Sequence, residues 1–322
     1  MTLENKINQI QIQNFITESG AHYPIINLSY QVFGPQLNTA PVVLVNHALT
    51  GNSQVIGEQG WWNDLIGERK TIDTSKYTVL AFNVPGNGYD GFLIENYKDF
   101  NARDVARLFN QGIKDLQIKQ LFAIIGGSVG GGIAWEMAAL EPKITQHLIP
   151  IATDWKSTDW LIANCFLQEQ ILANSSKPIE DARIHAMLCY RTPASFSAKF
   201  QRTLNEELQM YNVESWLAHH GNKLQKRFQL SAYKMMNQLL KTIDITRGRD
   251  SFATVAATIE ANIHIIGIDS DLFFTANENR GTYEELKKYK ENVSYQEIVS
   301  IHGHDAFLIE YQQLHNLLAT IF

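Results

Sequence analysis

The chain has 322 residues, 45% of them hydrophobic, with 33 acidic against 27 basic side chains and a formal charge of −6. That composition is globular, the length is ample for a deep core, and the mild acidity offers no electrostatic basis for binding nucleic acid or an anionic membrane. No apolar run reaches the ~18 residues of a membrane span, and the opening MTLENKINQIQIQNF has neither an apolar signal core nor a small-residue cleavage site.

In chain order, PVVLVNH (41–47), YTVLAFNV (77–84), LFAIIGG (121–127) and HLIPIAT (147–153) are short, β-branched and bounded by turn residues. They read as buried parallel strands. NARDVARLFNQGIKDL (101–116) carries apolar residues at helical spacing. Alternating strands and helices predict an α/β sheet covered on both faces. From about Lys156 to Arg249 no strand is expected; DARIHAMLCY, PASFSAKFQRTLNEEL, VESWLAHHGNKLQKRF and SAYKMMNQLLKTI read as helices. NIHIIGID (262–269) returns as a strand, GTYEELKKYKEN as a helix, VSYQEIV (293–299) as a last strand and DAFLIEYQQLHNLLATIF as the closing helix. A helical block inserted late into such a sheet reads as a lid. The expectation is one domain over 1–322, with core 1–155 and 250–322 and lid 156–249. Two cysteines, Cys165 and Cys189, fit a reducing cytoplasm, and no CxxC or His-x-x-x-His spacing suggests a metal.

AIIGGSVGGGIAWEMA (123–138) crowds five glycines around Ser128. Gly126-Gly127-Ser128-Val129-Gly130 fits G-x-S-x-G between a strand and a helix read as amphipathic, the nucleophile elbow. A strained strand-to-helix turn lifts the serine hydroxyl clear of the sheet, and the following helix N-terminus aims N–H groups at a developing oxyanion. A phosphate loop or dinucleotide loop is the weaker reading, since the motif follows the third core strand and no acid ends the next one. A serine nucleophile needs a base and an orienter, in the order Ser, Asp or Glu, His. IIGIDSDLFF offers Asp269 and Asp271 after a late strand; SIHGHDAFLIE offers His302 and His304 before the final helix. Spacing alone does not choose within either pair. The second oxyanion donor is expected in NHALTGNS (46–53), near Ala48 or Leu49, beside the N–H of Val129. His47 precedes the serine and is expected to hold that loop.

The blocks HALTGNSQV, GWWNDLIGERKTIDTSKYTVLAFNV, GGSVGG, YRTPASF, VESWLAHHGNKLQKRF, SDLFF and GHDAFLIE resemble, in order, those of the homoserine O-acetyltransferases, which have the α/β-hydrolase fold. The resemblance implies Asp271 and His304 as triad partners of Ser128, and Leu49 and Val129 as oxyanion donors. It implies Arg183 on the substrate carboxylate, Tyr190 seven residues later on the same helix face, and Asp305 near the substrate amine. It further implies L-homoserine as acceptor, acetyl-CoA as co-substrate, no permanently bound cofactor, cytoplasmic methionine biosynthesis and a homodimer. Trp216, Leu217 and Phe228 are candidates for packing on the core or on a second chain. Three departures stand out: GYDGFLIENY follows FNVPGN where the family has a Gly-Ser-Thr-Gly-Pro stretch; the segment QEQILANSSKPIED before Arg183 is short; and Val129 replaces a common methionine. They keep open a serine esterase or thioesterase, another donor such as succinyl-CoA, an acceptor such as serine, and a non-catalytic relative.

Overall fold

The computed structural model describes residues 6–322. Eight strands form the central sheet: β1 (Asn8–Ile16), β2 (His22–Phe33), β3 (Val42–Asn46), β4 (Thr78–Phe82), β5 (Leu121–Gly127), β6 (Thr145–Ile151), β7 (Asn262–Ile268) and β8 (Val293–Ile298), in the order β1-β2-β4-β3-β5-β6-β7-β8. β1 and β2 are antiparallel to their neighbours, and all later pairings are parallel.

The parallel strands bury both faces by the two-residue alternation of a pleated chain. Leu44, Leu80, Phe82, Ile124 and Leu148 pack on one side with Phe109 of α1 (Ala102–Asp115) and Trp135 of α2 (Val129–Leu140). Val43, Val45, Ile125 and Ile151 pack on the other with Trp62, Phe307 and Leu314. Trp62 is fully buried, and its burial alone stabilises by roughly 2–3 kcal/mol, the range for large apolar side chains. α1 begins at a capping box, Asn101 accepting from the Asp104 N–H and the Asp104 carboxylate from the Asn101 N–H.

Between β6 and β7 the chain leaves the sheet to build the lid: α3 (Asp159–Asn174), α4 (Pro178–Tyr190), α5 (Pro193–Phe200), α6 (Asn212–Gln225) and α7 (Leu230–Lys241). Its base is closed where Ser157 N–H donates to Ile243 O at 2.9 Å and Ile245 N–H to Trp155 O at 3.2 Å. Arg103 clamps the returning segment, donating to Asp244 O and Arg247 O while pairing with Glu136 at 3.0 Å and Glu18 at 3.1 Å. α8 (Phe252–Ala257) leads back into the sheet, α9 (Ala276–Leu286) follows β7, and α10 (Tyr311–Leu318) ends the fold. No described helix is long and apolar enough to cross a membrane.

Several sequence expectations need correction. The N-terminal hairpin was not anticipated, although NQIQIQNFI alternates with period two; its half-polar strands lack the continuous apolar run of the buried ones. The lid is not wholly helical: Leu204–Asn205 pairs with Met210–Tyr211, so α5 stops at Phe200 where Gln201 and Arg202 take positive φ. GTYEELKKYKEN lies partly in α9, which starts at Ala276 and stops at Leu286. The closing segment is split into a 3-10 turn, Gly303–Leu308, and α10. The helix after the elbow is not amphipathic: every residue from Val129 to Ala138 is buried. Phe228 is buried, and Trp216 and Leu217 pack on the chain's own core. Exposed apolar side chains are instead on α3, with Trp160 56%, Phe166 55% and Leu167 46% exposed, and Leu188 of α4 is exposed as well.

Candidate active site

β5 ends in the elbow. Ser128 takes φ 57°, ψ −130°, a conformation costing a non-glycine residue on the order of 1–3 kcal/mol. The surroundings hold it there. Its N–H donates to Ile151 O at 2.9 Å, and its carbonyl accepts from Gly131 and Gly132 as α2 begins. The glycines serve close approach. A Cβ on Gly130 would lie 2.4 Å from Asn46 O and 2.7 Å from His47 O, and one on Gly127 would lie 2.5 Å from the Phe307 ring. Side chains there would push the elbow off the end of β3 and off the histidine turn.

The Ser128 hydroxyl lies 2.9 Å from His304 Nε2, and His304 Nδ1 lies 2.7 Å from Asp271 Oδ2. Asp271 Oδ1 accepts from the N–H groups of Phe273 at 2.6 Å and Phe274 at 3.0 Å. The carboxylate is therefore fixed at both oxygens, and its charge sets the tautomer with Nδ1 protonated and Nε2 facing the serine. All three residues are buried. Tyr190, Phe273, Phe274 and Phe307 surround the imidazole with ring centroids 5.2–5.9 Å away. The other member of each pair holds a loop: Asp269 accepts from Ser300 N–H at 2.9 Å, and His302 Nδ1 lies 3.1 Å from Arg191 Nη2.

His47 lies in the loop after β3. Its Nε2 accepts from Val84 N–H at 3.0 Å, so its Nδ1–H donates to Ala48 O at 2.8 Å. Burial pushes its pKa down to about 4. A ring neutral at pH 7 thus staples the 47–51 loop, which carries Leu49, to the 83–87 loop. Among the described residues the Leu49 N–H donates no hydrogen bond.

On the lid side, Arg183 and Tyr190 share one face of α4, the guanidinium carbon 5.7 Å from the ring centroid. Burial raises the Tyr190 hydroxyl well above its ordinary pKa. Burial also raises the Asp305 carboxyl, opposed by Arg183, His304 and Arg191. Arg191, not singled out from sequence, pairs with Asp305 at 3.7 Å and donates to Ser195 Oγ. Its position directly after Tyr190 was the only local signal. A small cavity of about 10 Å³ lies among lid helices α3, α4 and α7, lined by Gln168, Cys189, Tyr190 and Tyr233 among others, with Leu49 and Phe273 also on its wall; it has room for about one water. One atypical segment approaches the lid and the other lies within it. A Cβ on Gly88 would sit 3.1 Å from Leu93 and 3.6 Å from Ala232 of α7, and the short stretch QEQILANSSKPIED spans the end of α3, the turn 175–177 and the first turn of α4. No group of three or more His, Cys, Asp or Glu side chains able to hold a metal is gathered among the described residues.

Comparison with known proteins agrees with this architecture. Residues 41–185 match the family described as alpha/beta hydrolase fold. The chain is 32% identical to a homoserine O-acetyltransferase of Cyclobacterium marinum over 95% of its own length and 92% of the relative's. A homoserine O-acetyltransferase structure from Bacillus anthracis superposes with TM-score 0.86 at 20% identity, covering 97% of each chain. Esterase E22 superposes equally well, with TM-score 0.86 at 16% identity, covering 98% of this chain and 99% of that one. At those identities the structural matches establish the fold, while the sequence relationship over nearly the whole length establishes the family: the chain belongs to the homoserine O-acetyltransferases, acyltransferases of the α/β-hydrolase fold.

Proposed function

We propose that the protein moves an acetyl group from acetyl-CoA to the hydroxyl of L-homoserine by a ping-pong mechanism, as a cytoplasmic step of methionine biosynthesis. The observation that carries this reading is the continuous chain Ser128–His304–Asp271 with a cation and a carboxylate, Arg183 and Asp305, on the wall beside it. His304 Nε2 takes the Ser128 proton as Oγ attacks the thioester carbonyl. The oxyanion rests on the Leu49 and Val129 N–H groups, each such donor contributing about 2.7–4 kcal/mol to the barrier reduction. The C–S bond breaks, the thiolate takes the proton from His304, and acetyl-Ser128 remains. Homoserine then enters with its carboxylate on Arg183, beside Tyr190, and its ammonium near Asp305. His304 removes the acceptor's hydroxyl proton, the alkoxide attacks the acetyl carbonyl, and Ser128 leaves reprotonated. A buried triad under a closed lid supports transfer over hydrolysis, because water must be kept from the acyl-enzyme.

Arg183→Ala tests the assignment. A charge-assisted contact is worth about 1.5–3 kcal/mol, so the variant is expected to form acetyl-Ser128 at the wild-type rate, seen by intact mass after mixing with acetyl-CoA. Discharge by homoserine is expected to slow about 10- to 150-fold. Equal slowing of both half-reactions would remove Arg183 from the acceptor site.

The exposed apolar side chains Trp160, Phe166 and Leu167 of α3 and Leu188 of α4, which one chain alone leaves in water, support a homodimer.

A further inference from the structure

We propose that Arg191 is a positioning residue for the acceptor: it holds the Asp305 carboxylate ionised and aimed at the amino group of the incoming amino acid. The inference rests on the homoserine-dependent reading above. Two arginines stand beside Asp305, and they are held differently. Arg183 acts on Asp305 through its charge but makes no hydrogen bond or ion pair of its own among the described residues; its guanidinium lies against the Tyr190 ring. It is free for a substrate carboxylate. Arg191 is tied down. Its Nε and Nη2 donate to Ser195 Oγ at 3.2 and 3.0 Å, its Nη2 also lies 3.1 Å from His302 Nδ1, and its Nη1 lies 3.7 Å from Asp305 Oδ2. An arginine only donates, so His302 Nδ1 accepts from it.

The anchor is built from the YRTPASF block, of which the triad and the elbow use nothing. Thr192 caps α5, accepting from Ser195 N–H at 3.0 Å, and so fixes the serine on which Arg191 rests; its hydroxyl donates to Ile301 O at 2.5 Å. A Cβ on Gly303, at φ 65°, would lie 2.9 Å from Tyr190 O. The end of α4 therefore sits directly on the loop that carries His302, His304 and Asp305. Among the described residues the pair with Arg191 is the one ion pair of Asp305, and it is made to Oδ2; Oδ1 keeps its lone pairs for an ammonium group. The charged and titratable groups facing Asp305 are Arg183 and Tyr190 of α4, Arg191 just after it, and His304 on its own turn, with Asp271 behind His304. Burial raises the Asp305 pKa, and Arg183, His304 and Arg191 oppose that rise. Once a substrate carboxylate has neutralised Arg183, Arg191 is the fixed positive charge left to keep Asp305 ionised for the substrate's ammonium.

The test separates the two half-reactions in Arg191→Gln. Discharge of acetyl-Ser128 is expected to need about 10-fold more homoserine at pH 7, as for loss of a charge-assisted contact, with the limiting rate little changed. Acetylation by acetyl-CoA is expected to stay near the wild-type rate. Without Arg191 the carboxylate takes up its proton more readily, so the loss of homoserine affinity on acidification is expected to begin at higher pH than in wild type, while the pH profile of acetylation, set by His304, stays in place. Arg191→Lys keeps the charge without the fork; it is expected to recover part of the homoserine affinity at an unchanged acetylation rate, and it carries the test if the glutamine variant does not fold. Adding Arg191→Gln to Asp305→Asn, where no charge is left to hold, is expected to cost little further homoserine affinity. Equal slowing of both half-reactions in either Arg191 variant would make the residue an anchor for the loop and overturn the proposal. Unchanged homoserine affinity, an unshifted pH profile of discharge in Arg191→Gln, or full additivity with Asp305→Asn would also overturn it. Failure of the underlying reading has a separate signature: wild-type acetyl-Ser128 would then discharge no faster with homoserine than in buffer alone.

Discussion

Replacing Ser128 by glycine and, separately, by alanine isolates the strain stored at the elbow. Both changes remove the hydrogen bond to His304 and leave the same buried imidazole nitrogen without a partner, so those losses cancel between them. Alanine keeps a Cβ at φ 57°; glycine does not. Relief of the strain is worth on the order of 1–3 kcal/mol. The greater freedom of glycine in the unfolded chain takes back about 0.4–1 kcal/mol. The glycine variant is therefore expected to be more stable than the alanine variant by up to about 2.6 kcal/mol, although glycine in place of alanine ordinarily destabilises. Urea unfolding followed by tryptophan fluorescence reads the difference as a shift of midpoint at constant slope, and both variants are expected to form no acetyl-enzyme. If alanine proves the more stable, the elbow is not strained at Ser128.

Asp271→Asn keeps the shape of the orienter but favours the wrong His304 tautomer; turnover is expected to fall about 10³–10⁴-fold with the fold intact, and a loss of under tenfold would contradict the assigned role. Asp154, three residues beyond β6, accepts from Thr282, Trp155 N–H and Asn279, yet burial pushes its pKa up to about 7. Its folded pKa lies above its unfolded one, so between pH 4 and 7 the unfolded chain loses the proton first and stability falls as pH rises. Asp154→Asn removes that dependence, and its advantage over wild type is expected to grow to roughly 2–4 kcal/mol by pH 8 in urea titrations; an advantage independent of pH would refute this. Phe166→Glu places a charge in the exposed α3 strip and is expected to give monomers in sedimentation velocity where wild type gives dimers; a monomeric wild type would remove the dimer.

What was legible in the sequence follows from how local each signal is. The elbow depends on a few consecutive residues whose glycines have one steric reason, so GGSVG could be read without partners. Buried parallel strands announce themselves as continuous apolar runs. The half-exposed β1 and β2 do not. Asp271 and Asp269 differ only in which way a two-residue step turns their side chains, so the choice came from family resemblance; the geometry shows the one beside His304 and the other on Ser300. Arg191 meets a partner 111 residues away, in the loop before the final helix, and only its place directly after Tyr190 hinted at a role. The breaks in the lid and in the final helix come from tertiary packing overriding helical propensity.

The most direct test of the central claim is thiol release from acetyl-CoA by the purified protein, with and without L-homoserine, with products identified by mass spectrometry. Release that depends strongly on homoserine, together with O-acetylhomoserine, is the predicted result. Thiol release at the same rate with or without homoserine, and no acetylated amino acid, would contradict the account and leave a hydrolase on the same fold.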